Sequence, residues 1–155
     1  MNDQQSDWNK IHGASSIQKT GPSSFAKKVL KVVPTESKIL ELGCGIGIDA
    51  ASFASAGHNI LSTDFSEVVI AKNQFNFSSV QNLQFQTLDI KDLSQFLDNE
   101  FDVVYAHLSL HYFPDLMTRH IFSEIHRILR KDGYLCFVVK STKDPLFGKG
   151  LRIEE

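Results

Sequence analysis

Three glycines at alternate positions, Gly43, Gly45 and Gly47, follow the apolar run Ile39, Leu40 and Leu42. That spacing makes a bend of bare backbone, either to reach positive φ or to let a bound molecule lie against the peptide groups. Glu41 stands just before the bend, where its charge would repel a diphosphate and attract a cationic ligand. Asp64 lies about twenty residues after the first glycine, where a carboxylate at a strand end accepts hydrogen bonds from the hydroxyls of a ribose. Asp89 closes a later alternating stretch. His107 and His111 sit in the run Tyr105-Ala106-His107-Leu108-Ser109-Leu110-His111-Tyr112-Phe113, and either could take a proton from a bound nucleophile. A metal pair would need further ligands and a helix through both histidines, so no metal site is expected.

The elements that must hold these residues can be read from the apolar pattern. Pro22-Ser23-Ser24 opens a helix whose apolar positions run through Val33, with Pro34 as its stop. Lys38 to Leu42 is a buried strand, and a small-residue helix follows from about Gly47 to Ala56. Asn59 to Thr63 is a second strand. Ser66 is the better N-cap for the next helix, which leaves Asp64 for the ligand. Leu83 to Thr87 is a third strand and Phe101 to Tyr105 a fourth. Asp102, at the start of that fourth strand, is expected to be structural. Asp115 to Arg130 is the clearest amphipathic helix, ended by Lys131-Asp132-Gly133, and Tyr134 to Val139 is a fifth strand. Alternation of this kind predicts a doubly wound α/β domain with a mostly parallel sheet in the order 3-2-1-4-5 and ligand at the carboxyl ends of strands 1 to 3. Residues 1–21 are expected as a flexible polar arm, 22–140 as the ligand-binding domain and 141–155 as an irregular tail. In the arm, Trp8 reads equally as a surface anchor or as a ring docked on the ligand cleft.

The run Glu41-Leu42-Gly43-Cys44-Gly45-Ile46-Gly47 resembles the first motif, E/D-x-G-x-G-x-G, of class I S-adenosylmethionine-dependent methyltransferases. Asp89-Ile90, the run from Phe101 to Phe113 and the segment Leu129-Arg130-Lys131-Asp132-Gly133-Tyr134-Leu135 resemble later motifs of the same family. The resemblance spans about residues 22 to 150 and lacks the antiparallel C-terminal hairpin that normally completes the family's sheet. It implies S-adenosylmethionine as cofactor, S-adenosylhomocysteine as product and a small-molecule methyl acceptor. It implies that Glu41, Gly43, Cys44, Gly45 and Gly47 hold the methionyl end. Asp64 would hold the ribose, Phe65 would also touch the cofactor, Asp89 and Ile90 would hold the adenine, and Ala106, His107 and Leu108 would lie close to the sulfonium, with the residues that follow facing the methyl acceptor. A base, where the acceptor needs one, would be His107 or His111.

Two other readings stay open at this point. Gly45-Ile46-Gly47-Ile48-Asp49-Ala50 also matches the G-x-G-x-x-A dinucleotide fingerprint of an NAD-dependent oxidoreductase. A shortened relative that binds the cofactor without turnover is the second.

Length and composition fit one domain: 155 residues, 42% hydrophobic, twelve phenylalanines and a net charge of -2. That balance gives no reason to expect nucleic acid. Cys44 and Cys136 form no disulfide framework, and no apolar run reaches the ~18 residues of a membrane span. A cytoplasmic protein is the expectation. A fifth strand without a covering hairpin would leave an edge with which a second copy could pair as a homodimer.

Overall fold

The chain is described by a computed structural model over residues 3–14 and 21–145. The elements are α1 (Asp3–Ala14), α2 (Ser24–Val29), β1 (Lys38–Leu42), α3 (Ile48–Ser55), β2 (Asn59–Asp64), α4 (Glu67–Asn76), β3 (Leu83–Thr87), β4 (Phe101–His107), α5 (Asp115–Ile128) and β5 (Leu129–Val138). The five strands form one sheet in the order β3-β2-β1-β4-β5, and every pair is parallel. The Rossmann-like architecture expected from the sequence is therefore present, without an antiparallel pair among the described residues.

Strand alternation sends side chains to two cores, one on each face of the sheet. On one face Ile39, Ile60, Val103 and Tyr105 pack against Ala26 and Val29 of α2 and Ala50, Phe53 and Ala54 of α3. On the other, Leu40, Leu42, Val104 and Ala106 meet Ile121, Ile125 and Ile128 of α5. No helix forms between β3 and β4. Leu88, Ile90, Leu93 and Phe96 fill that side from a run of turns. Arg127 of α5 holds these turns by donating to the carbonyls of Phe96 at 2.8 Å and Leu93 at 3.1 Å, while pairing with Asp98 and Glu124.

Several boundaries differ from the sequence expectation. Residues 3–14 of the expected flexible arm form α1, whose polar sequence shows no apolar stripe. Tertiary bonds to α4 and its cap hold it instead: Gln5 Nε2 to the Phe65 carbonyl at 3.1 Å, Ser66 Oγ to Asn9 Oδ1 at 2.7 Å and Lys72 Nζ to the Gly13 carbonyl at 3.0 Å. The α2 helix ends at Val29, because the amides of Lys31 and Val32 reach back only three residues as the chain tightens before Pro34. The α5 helix ends at Ile128, two residues early. Lys131-Asp132-Gly133 then falls inside β5 as an irregularity between the Phe101 and Val103 pairings, with Asp132 at φ 63°. Asp102 is structural as expected, accepting from the Lys38 amide and from Arg130. Among the described residues no strand pairs with the outer side of β5, and no helix is long and apolar enough to cross a membrane.

Candidate functional site

The bend after β1 takes the shape its glycines allow. Gly43, Gly45 and Gly47 have φ of 78°, 50° and 75°, values that side chains with a Cβ rarely adopt. The amides of Gly43 and Cys44 donate to the Thr63 carbonyl at 2.8 and 2.9 Å, tying the bend to β2. Gly45 is held from two sides. Its N–H donates to Asp64 Oδ2 at 2.9 Å, and its carbonyl accepts from Asn73 Nδ2 at 2.8 Å. Ser66 caps α4 through the Val69 amide, and the second oxygen of Asp64 accepts the Ser66 N–H at 2.9 Å. Asp64 thus braces the bend and still faces the space above it.

That space is an open hollow at the carboxyl ends of β1 to β4. The backbone at Gly43 and Gly45 forms part of its floor, and Asp64, Phe65, Asp89 and Ile90 form one wall. Leu108, Ser109, Tyr112 and Phe113 form the opposite wall, and Trp8 of α1 closes over the top, edge-on to Tyr112 with ring centroids 5.3 Å apart. Among the described residues two carboxylates line the hollow and no lysine, arginine or histidine does. Lys91 stays outside, 3.2 Å from Asp89 Oδ2. Bare peptide and the Asp64 carboxylate fit a cationic nucleoside better than a dinucleotide diphosphate, while Lys91 offsets the charge of Asp89 from outside.

Of the residues singled out in the sequence, Gly43, Gly45, Asp64, Phe65, Asp89 and Ile90 come together around this hollow. Glu41, Cys44, Gly47, Ala106, His107 and His111 do not line it. Glu41 is 2% exposed beneath the bend, where its Oε2 accepts from Ser62 Oγ at 2.6 Å. Burial pushes its carboxyl up to about 8, with Asp49 and Asp64 adding to the rise and the Ser62 bond opposing it. Glu41 is therefore largely protonated at neutral pH, whereas the sequence reading took it as a charge. Burial likewise raises the Cys44 thiol. Gly47 faces Phe85 and Asn73 instead of the hollow, and Ala106 is buried in the α5-side core.

The histidines separate. His107 Nδ1 lies 3.7 Å from Asp49 Oδ2, with its ring against Phe25. Asp49 also accepts the N–H and Oγ–H of Ser23, each at 2.7 Å, and the hydroxyl of buried Tyr105 at 2.6 Å. This hub binds the start of α2 to α3 and β4. His111 lies against Tyr112, both ring nitrogens are buried without a hydrogen-bond partner among the described residues, and burial lowers its pKa. Of the wall formed by Leu108, Ser109, Tyr112 and Phe113, Leu108 was named from the family resemblance, and the others fell in the run expected to face the methyl acceptor. Its residues are apolar or small and carry no motif of their own.

The profile of a family described as a methyltransferase domain matches residues 40–137. The chain is similar to the putative methyltransferase YqeM of Bacillus subtilis, at 32% identity over 76% of this chain and 48% of that one. It is similar to the ubiquinone biosynthesis O-methyltransferase of Acinetobacter baumannii, at 27% identity over 71% and 47% of the two chains. Among solved structures it resembles phosphoethanolamine N-methyltransferase 1 of Haemonchus contortus in complex with phosphoethanolamine and S-adenosylhomocysteine. The TM-score is 0.73 at 25% identity, over 86% of this chain and 31% of that one. The chain spans about half the length of the curated relatives it matches.

Proposed function

The chain belongs to the class I S-adenosylmethionine-dependent methyltransferase domain family, and on that premise we propose that its hollow holds S-adenosylmethionine and that the protein methylates a small-molecule acceptor. The observation that carries this reading is the meeting of the bare Gly43 and Gly45 backbone with the carboxylates of Asp64 and Asp89 around one cavity. When bound, the cofactor supplies an electrophilic methyl group for in-line displacement by a nucleophile.

The chain's own residues align and enclose. Asp64 accepts from the ribose hydroxyls, Asp89 accepts from the adenine amino group, and Ile90 lies against the ring. The bend receives the amino-acid end. Leu108, Ser109, Tyr112, Phe113 and Trp8 set the acceptor beside the reacting carbon and exclude water, where fixed geometry lowers the barrier most. Neither His107 nor His111 lines the hollow, so this reading gives no histidine the role of base.

Calorimetric titration with S-adenosylhomocysteine and separately with NAD tests the ligand. Saturable binding of the first alone is expected, and binding of NAD alone would overturn the reading. Trp8 is the sole tryptophan, so its fluorescence should change on the same titration. Release of S-adenosylhomocysteine from S-adenosylmethionine across a panel of acceptors then separates an enzyme from a binding module.

A further inference from the structure

Asn73 stands in α4, 1% exposed, beneath the bend that the proposed function gives to the cofactor. One amide bonds two residues of that bend and leaves little room for a side chain on a third. Its Nδ2 donates to the Gly45 carbonyl at 2.8 Å and lies 3.6 Å from Cys44 Sγ, and a Cβ on Gly47 would come within 3.1 Å of it. Its Oδ1 is buried and, among the described residues, has no hydrogen-bond partner. A buried orphan acceptor is unfavourable and calls for an explanation. The opposite orientation would press Oδ1 against the Gly45 carbonyl and place two acceptors face to face. The amide therefore keeps both donors toward the bend and leaves its oxygen unsatisfied.

We propose that Asn73 is a positioning residue that fixes the Gly45 peptide from below, opposite Asp64, so that the bend is set for the amino-acid end of the ligand. Asp64 holds the N–H of Gly45 and Asn73 holds its carbonyl, so the two peptide groups that flank this residue cannot rotate freely. Asp64 is shared with the ligand, but Asn73 is not, because α4 packs it away from the hollow. Asn73 thus acts on the ligand only through the bend. The inference rests on the proposed use of the hollow.

The test compares two ligands. S-adenosylhomocysteine has an amino-acid end that lies on the bend, and adenosine does not. Asn73→Asp keeps the side chain's shape and removes both N–H donors, and Asn73→Ala removes the whole amide. Calorimetry on the full chain should show S-adenosylhomocysteine binding weakened tenfold or more by either variant, with adenosine binding changed less than twofold. Equal weakening of both ligands, or of neither, would overturn the proposal. Amide hydrogen exchange at Gly45 and Gly47 in ligand-free protein gives a second readout. It should quicken in both variants while the strands stay protected, and unchanged exchange would also overturn the proposal. If the unmutated chain binds no S-adenosylhomocysteine, the functional reading fails, and the exchange result still decides the role of Asn73.

Discussion

Gly43 and Ser109 touch across the head of the sheet: a Cβ built on Gly43 would stand 2.5 Å from the Cβ of Ser109. Ser109 is held there by its own Oγ donating to the Leu42 carbonyl at 2.6 Å. Gly43→Ala therefore meets both a left-handed φ and a wall that does not yield. We expect a loss of about 3 kcal/mol in urea unfolding. Ser109→Gly in the same chain should recover part of that loss, and strict additivity of the two changes would show that the contact is absent.

Glu41 makes stability depend on pH with a definite sign. Its folded pKa of about 8 lies above its ordinary value of 4.5, so between these the native state binds more protons than the unfolded one. The contribution is complete below 4.5 and falls away as the pH rises through 8. Thermal unfolding from pH 5 to 9 should show this decline, and Glu41→Gln should flatten it. A cationic ligand above Glu41 favours its ionised form. Binding near pH 7 should then release protons, read as a dependence of calorimetric heat on the ionisation enthalpy of the buffer.

Asp64 serves the bend and the proposed ligand together, so its removal should harm both. Asp64→Ala frees the N–H groups of Gly45 and Ser66 and deletes the acceptor for the ribose. Calorimetry should show S-adenosylhomocysteine binding weakened by roughly tenfold to a hundredfold, the worth of one charged hydrogen bond. A lowered melting temperature should accompany it. Normal affinity would place the ligand elsewhere.

Tyr105→Phe probes the Asp49 hub. The hydroxyl is the one donor to Asp49 from β4 in hydrogen-bond contact, at 2.6 Å. Its loss should destabilise by about 2 kcal/mol, the range for a hydrogen bond to a charged group. The denaturant midpoint should move while the slope stays the same, since the surface exposed on unfolding does not change.

Among the described residues no strand pairs with the outer edge of β5, a strand whose Tyr134 and Phe137 are half-exposed on its two faces. Such an edge is a template for another copy. Light scattering should show association that grows with concentration, and Phe137→Lys should suppress it.

The strands and their order were legible because parallel strands buried on both faces leave uninterrupted apolar runs that helices with their own period separate. That Gly43, Gly45, Asp64 and Asp89 gather at one end of the sheet was legible because bare backbone and strand-end carboxylates are local signals, whereas Ile90 came with the family resemblance. The depth of Glu41 was written in the alternation of β1, which puts it on the face of Ile39 under α3, but its charge drew attention away from that period. The α1 helix had no such signal, since Gln5, Asn9 and Gly13 find their partners on residues 65, 66 and 72. The Asp49 hub was equally hidden: Ser23, Tyr105 and His107 meet only once the sheet has formed. His107 looked like a reactive group because its engagement with Asp49 is invisible along the chain.

The double hold on Gly45 has a thermodynamic corollary. A loop left to order itself around its guest charges the guest for lost freedom, whereas this one is already ordered by side chains of the protein itself. Docking should therefore carry a mild entropic penalty and leave the main chain where it was. The cost of that readiness sits in the folding of the protein, as one carboxamide oxygen that among the described residues goes unanswered in the interior.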